Sequence, residues 1–219
     1  VLRECLGIRC FLGLTATATS ATARDVQQHL GIGRENGIGV GEAGIPKNLQ
    51  LSVSMDVDRD KSLLSLLRAW NFGNSGSGIV YCTRREESER LAGLIQREFP
   101  AIPTPEPSEN TGKSKRKAAN FVVAAAYHAG LAASERRRIQ RDFMANRIRI
   151  LCATVSFGMG LDKPDVSGIF HFNIPGNVER YVQEVGRAGR DGRAARCHLF
   201  LQPQVGGKGG FWGRFGVFG

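Results

Sequence analysis

The segment YVQEVGRAGRDGR, residues 181–193, carries the side chains of this chain best suited to chemistry. Gln183, Arg187 and Arg190 stand at i, i+4 and i+7, so a helix running through the segment would bring all three to one face. Arginine is always charged and presents a rigid fork of donors. Two of them beside a glutamine and small residues suit the charge that develops on a transferring phosphoryl group. The competing reading is an ordinary solvated helix end, for which Gly186, Gly189 and Gly192 are poor choices because glycine weakens a helix. Glycines here point instead to close approach of the backbone.

A nucleoside triphosphatase also needs a phosphate cradle of the form GxxxxGK[ST], placed between a buried strand and a helix. The GKS of this chain is Gly112-Lys113-Ser114. The first glycine of the pattern would fall at Pro107, no buried strand precedes it, and a basic run follows. It reads as a solvated basic loop. No strand ends in an acidic D-E-x-H or D-E-x-D box able to hold Mg²⁺, and the expectation is that both parts lie outside these 219 residues.

Thirty Lys and Arg against twenty Asp and Glu give a formal charge of +10, which favours a polyanionic partner such as nucleic acid. Residues of the hydrophobic class make up 42% of the chain, enough to build a core. Cys5, Cys10, Cys82, Cys152 and Cys197 contain no CxxC pair, which reads as a reduced, intracellular protein with no metal site in this span. No run approaches eighteen apolar residues, and the N-terminus lacks a basic leader, so neither a membrane partner nor secretion is expected.

The elements that must position the arginines follow from periodicity. A strand is expected at 10–19 and a helix over SATARDVQQHLG, closed by Gly31; the glycine-rich 31–46 reads as a linker. Strands are then expected at 49–55, 78–82, 121–128, 148–154, 168–173 and 196–202. Helices are expected at 60–70, 83–99, 134–144 and from about Asn177. This alternation predicts an α/β fold with a mostly parallel sheet covered on both faces. Thr83 and Glu86 form a T-x-x-E pattern that would cap the helix at 83–99. In the helix at 134–144, Ile139 and Phe143 should be buried and Arg136, Arg137, Arg138 and Arg141 should form a solvated face, with DNA contact as a secondary role. His128 reads as a hydrogen-bonded, partly buried histidine. Residues 103–117 read as a surface insertion, and the glycine-rich 204–219 as a poorly ordered tail.

The segments QEVGRAGRDG, ATVSFGMGLDKPDV (153–166), YHAGL (127–131) and LGLTATAT (12–19) together closely resemble the RecQ family of superfamily 2 DNA helicases, in the family's order and at about its spacing. Within it, RECLGIRCFLGLTATAT, NLQLSVSMD and YCTRREESERLA look most like the type-four eukaryotic branch. The resemblance implies a RecA-like motor of two lobes with ATP and Mg²⁺ between them. Residues 1–45 would be the end of the first lobe, from motif III, and 46–203 the second lobe with motifs IV to VI. The missing first lobe would be a partner of this one.

By motif position, Arg190 resembles the arginine finger of motif VI, Arg187 its companion and Gln183 the leading glutamine. Gly158, Gly160 and Asp162 lie in motif V on the nucleotide side, and Thr154 on the DNA side. Thr83 and Arg84 would meet phosphates of the tracked strand, with the Thr83 cap as an equal competitor. Thr15 and Thr17 to Thr19 would carry signals between lobes. The implied activity is ATP-dependent 3′ to 5′ unwinding of single-stranded and forked DNA in replication, recombination and repair, in the nucleus. Alone, the chain should hydrolyse essentially no ATP. The alternative is a non-catalytic DNA-binding or regulatory protein. One departure stands out, Ser167 in place of the arginine that usually follows KPDV.

Overall fold

The computed structural model describes residues 20–32, 45–70, 76–99, 122–154 and 162–202, with a few isolated residues before position 12. The expected strand at 10–19, the GKS loop, Gly158, Gly160, the insertion and the tail lie outside or almost wholly outside the described residues. The chain divides into two compact units, Val1–Ile45 and Pro46–Gly219. The described part of the first is helix α1, Ser20–Leu30, followed by Gly31.

The second unit is built on strands β1 (Leu49–Met55), β2 (Ser77–Tyr81), β3 (Val122–Tyr127), β4 (Ile148–Ala153), β5 (Val166–His171) and β6 (Ala195–Leu201). They form one sheet in the order β1-β6-β5-β2-β4-β3, and every pairing is parallel. Parallel neighbours require crossovers, and helices α2 (Arg59–Ala69), α3 (Arg85–Glu98), α4 (Ala133–Met144) and α5 (Val178–Val185) lie in them.

Strand periodicity divides the core between two faces. Val80 on β2 and Cys82 just after it join Leu63 and Leu67 of α2 and Leu91 and Ile95 of α3. Ile79 and Tyr81 turn the other way, onto Ile139 and Phe143 of α4 and Val185 of α5. Both faces are buried, which is why these strands read as continuous apolar runs. The thiols of Cys82, Cys152 and Cys197 are part of this packing; burial raises their pKa, that of Cys197 to about 12. The expected apolar anchors Ile139 and Phe143 are buried.

The T-x-x-E cap is not made. Helix α3 begins at Arg85, with Arg84 at its N-cap in an extended conformation and without a side-chain cap bond. The helix opens one residue too late for Thr83, whose N–H donates to the Asn173 side-chain oxygen at 2.9 Å and so ties the end of β2 to the chain leaving β5.

Candidate functional site

Helix α5 brings the arginine segment down from the C-terminal end of β5 toward its beginning. Asn177 caps it by accepting from Arg180 N–H at 2.8 Å, and Val185 and Glu184 are buried at its far end. The helix stops at Val185. The expectation of one helical face for Gln183, Arg187 and Arg190 is therefore corrected: Gln183 is exposed on the helix, while both arginines lie in the turns beyond it.

The physical reason is a set of competing hydrogen bonds. Arg187 and Ala188 N–H donate to Glu184 and Val185 carbonyls, tightening the last turn, and Gly189 N–H leaves the helix to donate to Val166 O at 2.8 Å. Asp191 N–H donates to Pro164 O at 3.2 Å. From the other side, Asn48 donates its amide to Gly189 O and Arg193 O, each at 2.8 Å. Gly189 has φ +63°, and a Cβ there would run into Asn48 Nδ2. Only glycine serves both demands.

Arg190 reaches back along this turn. Its Nε donates to Gly186 O at 3.3 Å and its Nη1 meets Asp162 Oδ1 at 3.0 Å. The Asp162 side chain is 90% exposed and that of Arg190 39%, so the pair can open at little cost. Arg187 is half-buried and faces the Tyr81 phenol. Burial drives the Tyr81 pKa up, and the Arg187 charge draws it partly back. Arg187 Nε and the Tyr81 hydroxyl are both buried with no hydrogen bond of good geometry among the described residues.

Beneath Arg187 lies a polar cluster that the sequence reading missed. His171, 1% exposed, shares a hydrogen bond of 2.9 Å between its Nε2 and Glu184 Oε2. Its ring stacks on Tyr81 at 5.4 Å and tilts against Tyr181 at 5.1 Å. A signal was present: His171 interrupts the apolar run GIFHFN, and Glu184 adjoins Tyr181 and Val185 on the apolar side of α5.

The expected nucleic-acid residues gather elsewhere. Thr83 and Arg84 follow β2 and are exposed, and Thr154 follows β4, the neighbouring parallel strand. Thr154 is buried, and its N–H donates to Tyr127 O at 3.1 Å. These residues lie at the C-terminal ends of the strands, whereas the arginine turn lies at the beginning of β5, about 20 Å away by strand rise. His128 is buried, bonded to Glu89 at 2.9 Å and accepting from Gly130 N–H at 3.2 Å. The structure brings Asp162 to Arg190 and does not bring Gln183 to either.

The donor set fits the polyphosphate end of a nucleotide, because two guanidinium groups stand on a pinned turn and one of them is partly exposed. Among the described residues no group of three His, Cys, Asp or Glu could hold a metal ion. No helix among them is long and apolar enough to cross a membrane.

Comparison with known proteins agrees with this architecture. The chain is 52% identical over 93% of its length to the human ATP-dependent DNA helicase Q4 and 49% identical over 93% to that of Mus musculus. It is 35% identical over 92% to the RecQ helicase of Pasteurella multocida. It spans about a sixth of the length of the two Q4 proteins and 28% of the bacterial one. Among solved structures, S. cerevisiae Dbp5 bound to RNA and ADP BeF3 shares the fold at TM-score 0.63 and 20% identity, over 87% of this chain and 44% of that one. The yeast DEAD-box splicing factor Prp28 does so at TM-score 0.55 and 20% identity, over 74% of this chain and 31% of that one. These likenesses make the sheet and its helices a RecA-like helicase lobe. With residues 58–192 matching the helicase conserved C-terminal domain, the chain belongs to that family and is homologous to the RecQ DNA helicases.

Proposed function

We propose that this chain supplies the second lobe of an ATP-dependent DNA helicase that moves 3′ to 5′ on single-stranded DNA and opens forked DNA. The observation that carries the reading is the arginine turn. Its backbone is pinned by Asn48, Val166 and Pro164, and Arg190 is held at its surface by an exposed ion pair that can open. Such a turn can present a guanidinium to a phosphate bound by another body without reorganising the fold. ATP supplies the transferable phosphoryl group and Mg²⁺ would be held by the first lobe. Arg190 stabilises charge in transfer, Arg187 supports it, and Asp162 exchanges its contact with Arg190 for one on the nucleotide side, a role that motif V would share with Gly158 and Gly160. Gln183, exposed on α5, serves as the leading glutamine of the same motif.

Thr83 and Arg84, exposed at the opposite end of the sheet, lie along the DNA strand, and Thr154, buried in this structure, meets it only where a rearrangement of the domain uncovers it. Closing of the lobes on ATP and reopening after hydrolysis would carry these DNA contacts one step along the strand. A nuclear location and a role in replication, recombination and repair accompany this reading.

The test is ATP hydrolysis stimulated by single-stranded DNA, measured on the 219-residue chain and on the chain joined to a first helicase lobe, each with and without Arg190→Ala. Silence of the short chain with Arg190-dependent hydrolysis by the joined one supports the reading. Hydrolysis by the short chain, or DNA binding by the joined chain with no hydrolysis at all, overturns it.

A further inference from the structure

Residues 162–166 lead from motif V into β5, and they are gripped from two sides. Toward the arginine turn, Asp162 pairs with Arg190, and the carbonyls of Pro164 and Val166 accept from Asp191 and Gly189 N–H. Toward the core, the alternate residues enter a polar cluster in which Lys163 and Ser77 are buried and Asp165 and Asn146 half-buried. Lys163 is only 2% exposed, and its Nζ donates to Asp165 Oδ1 at 2.7 Å and to Asn146 Oδ1 at 2.8 Å. Asn146 returns a hydrogen bond from Nδ2 to Asp165 Oδ2 at 3.0 Å and accepts from Ser77 Oγ at 2.9 Å. Ser77 N–H donates to Asp165 O at 3.0 Å. The lysine ammonium also lies 5.3 Å from the centre of the Phe143 ring.

A buried ammonium is costly unless it is paired and hydrogen-bonded, and this one has a carboxylate, a carboxamide and an aromatic face. Burial alone would raise the Asp165 carboxyl, but hydrogen bonds from Lys163 and Asn146 and the lysine charge hold it below its ordinary value. The cluster joins three remote points: the start of β2, the turn between α4 and β4, and the strap at 162–166. A strap anchored this way has one register, and the turn bonded to it inherits that register.

Building on the function proposed above, we propose that Lys163 and Asp165 are positioning residues for the arginine turn: their hydrogen-bonded cluster with Asn146 sets the strap against which Gly189, Arg190 and Asp191 are placed. They touch neither nucleotide nor DNA, and they act through Arg190.

The experiment uses the chain joined to a first helicase lobe. Lys163→Met removes the ammonium and keeps the apolar stem. Asn146→Gly removes the carboxamide while tolerating the backbone at φ +58°, and it serves if Lys163→Met does not fold. Each variant should lower kcat for DNA-stimulated hydrolysis about 10- to 100-fold, with KM for ATP and DNA affinity changed less than about threefold. In an Arg190→Ala background the same change should lower kcat by less than about twofold, because residues acting as a unit are non-additive.

Hydrogen exchange of the Gly189 and Asp191 amides in the 219-residue chain should quicken in both variants. Unchanged kcat, or a loss that multiplies with that of Arg190→Ala, overturns the proposal. If Arg190→Ala itself has no effect, it is the proposed function that fails. The Gly189 exchange rate still decides whether the cluster sets the turn: faster exchange supports it, and exchange equal to the parent overturns it.

Discussion

Two arginine-bearing regions of this protein have similar composition and opposite construction. On α4, Arg138 meets Glu135 at 3.5 Å and Asp142 at 3.7 Å, and Arg141 meets Asp142 at 3.8 Å, all within one or two turns of the same helix. In the turn at 186–193, the partners arrive from far along the chain: Asn48, Asp162, Pro164 and Val166. Local pairs of the α4 kind form wherever a helix exposes opposite charges three or four residues apart, and they report only that the face is solvated. A turn held by two remote segments, Asn48 and the strap at 162–166, exists only once the domain has folded. Charge density does not tell the two regions apart; the origin of the partners does.

The sharpest way to break this comparison is to remove one arginine from each region. In the joined motor, Arg190→Ala should lower kcat by about a thousandfold or more, whereas Arg138→Ala should leave it within about twofold, measured as DNA-stimulated hydrolysis. Arg190→Lys should recover little, because a point charge does not replace a planar fork.

Next in size is Asn48→Ala. It removes both hydrogen bonds that hold the Gly189 and Arg193 carbonyls and should cost about 1–3 kcal/mol of stability, read from denaturant unfolding of the 219-residue chain. Equal stability of the variant and the parent would mean that the turn holds itself.

A smaller effect is expected in acid. The folded Asp165 pKa lies below its ordinary 3.8, so the unfolded chain binds the proton more readily. This contribution is present above that value and is lost as pH falls through the folded one. Asp165→Asn should therefore flatten the dependence of stability on pH below about pH 4. The smallest effect is on α4, where Arg138→Ala should change stability by no more than about 0.5 kcal/mol and by less at high salt.

Most elements of the second unit are legible in the sequence because both sides of the sheet are covered. Runs such as GIVYC and IRILCA then have no polar face to confuse them with amphipathic helices; β1, mostly exposed, falls at the expected 49–55 through its alternation of apolar and polar residues instead. Where the reading slips, a side chain or amide from far away intervenes. Thr83 loses its cap because Asn173 takes its N–H. Helix α5 ends before Arg187 because Val166 and Asn48 offer better partners to Gly189 than another helical turn does. The expected strand at 168–173 begins at Val166, where β5 pairs with Ser77 at the start of β2.

Periodicity, glycine placement and local motifs are properties of neighbours along the chain, and they suffice for the order of strands and helices and for the family. Folding of the domain is what makes Arg190 meet Asp162, sets Arg187 against Tyr81 beside the His171–Glu184 pair, and buries the lysine that anchors the strap. Those contacts join residues up to 106 positions apart, and Asn48 reaches across 141. At such separations, spacing along the chain carries no information about distance, and packing of the two core faces alone brings the groups together.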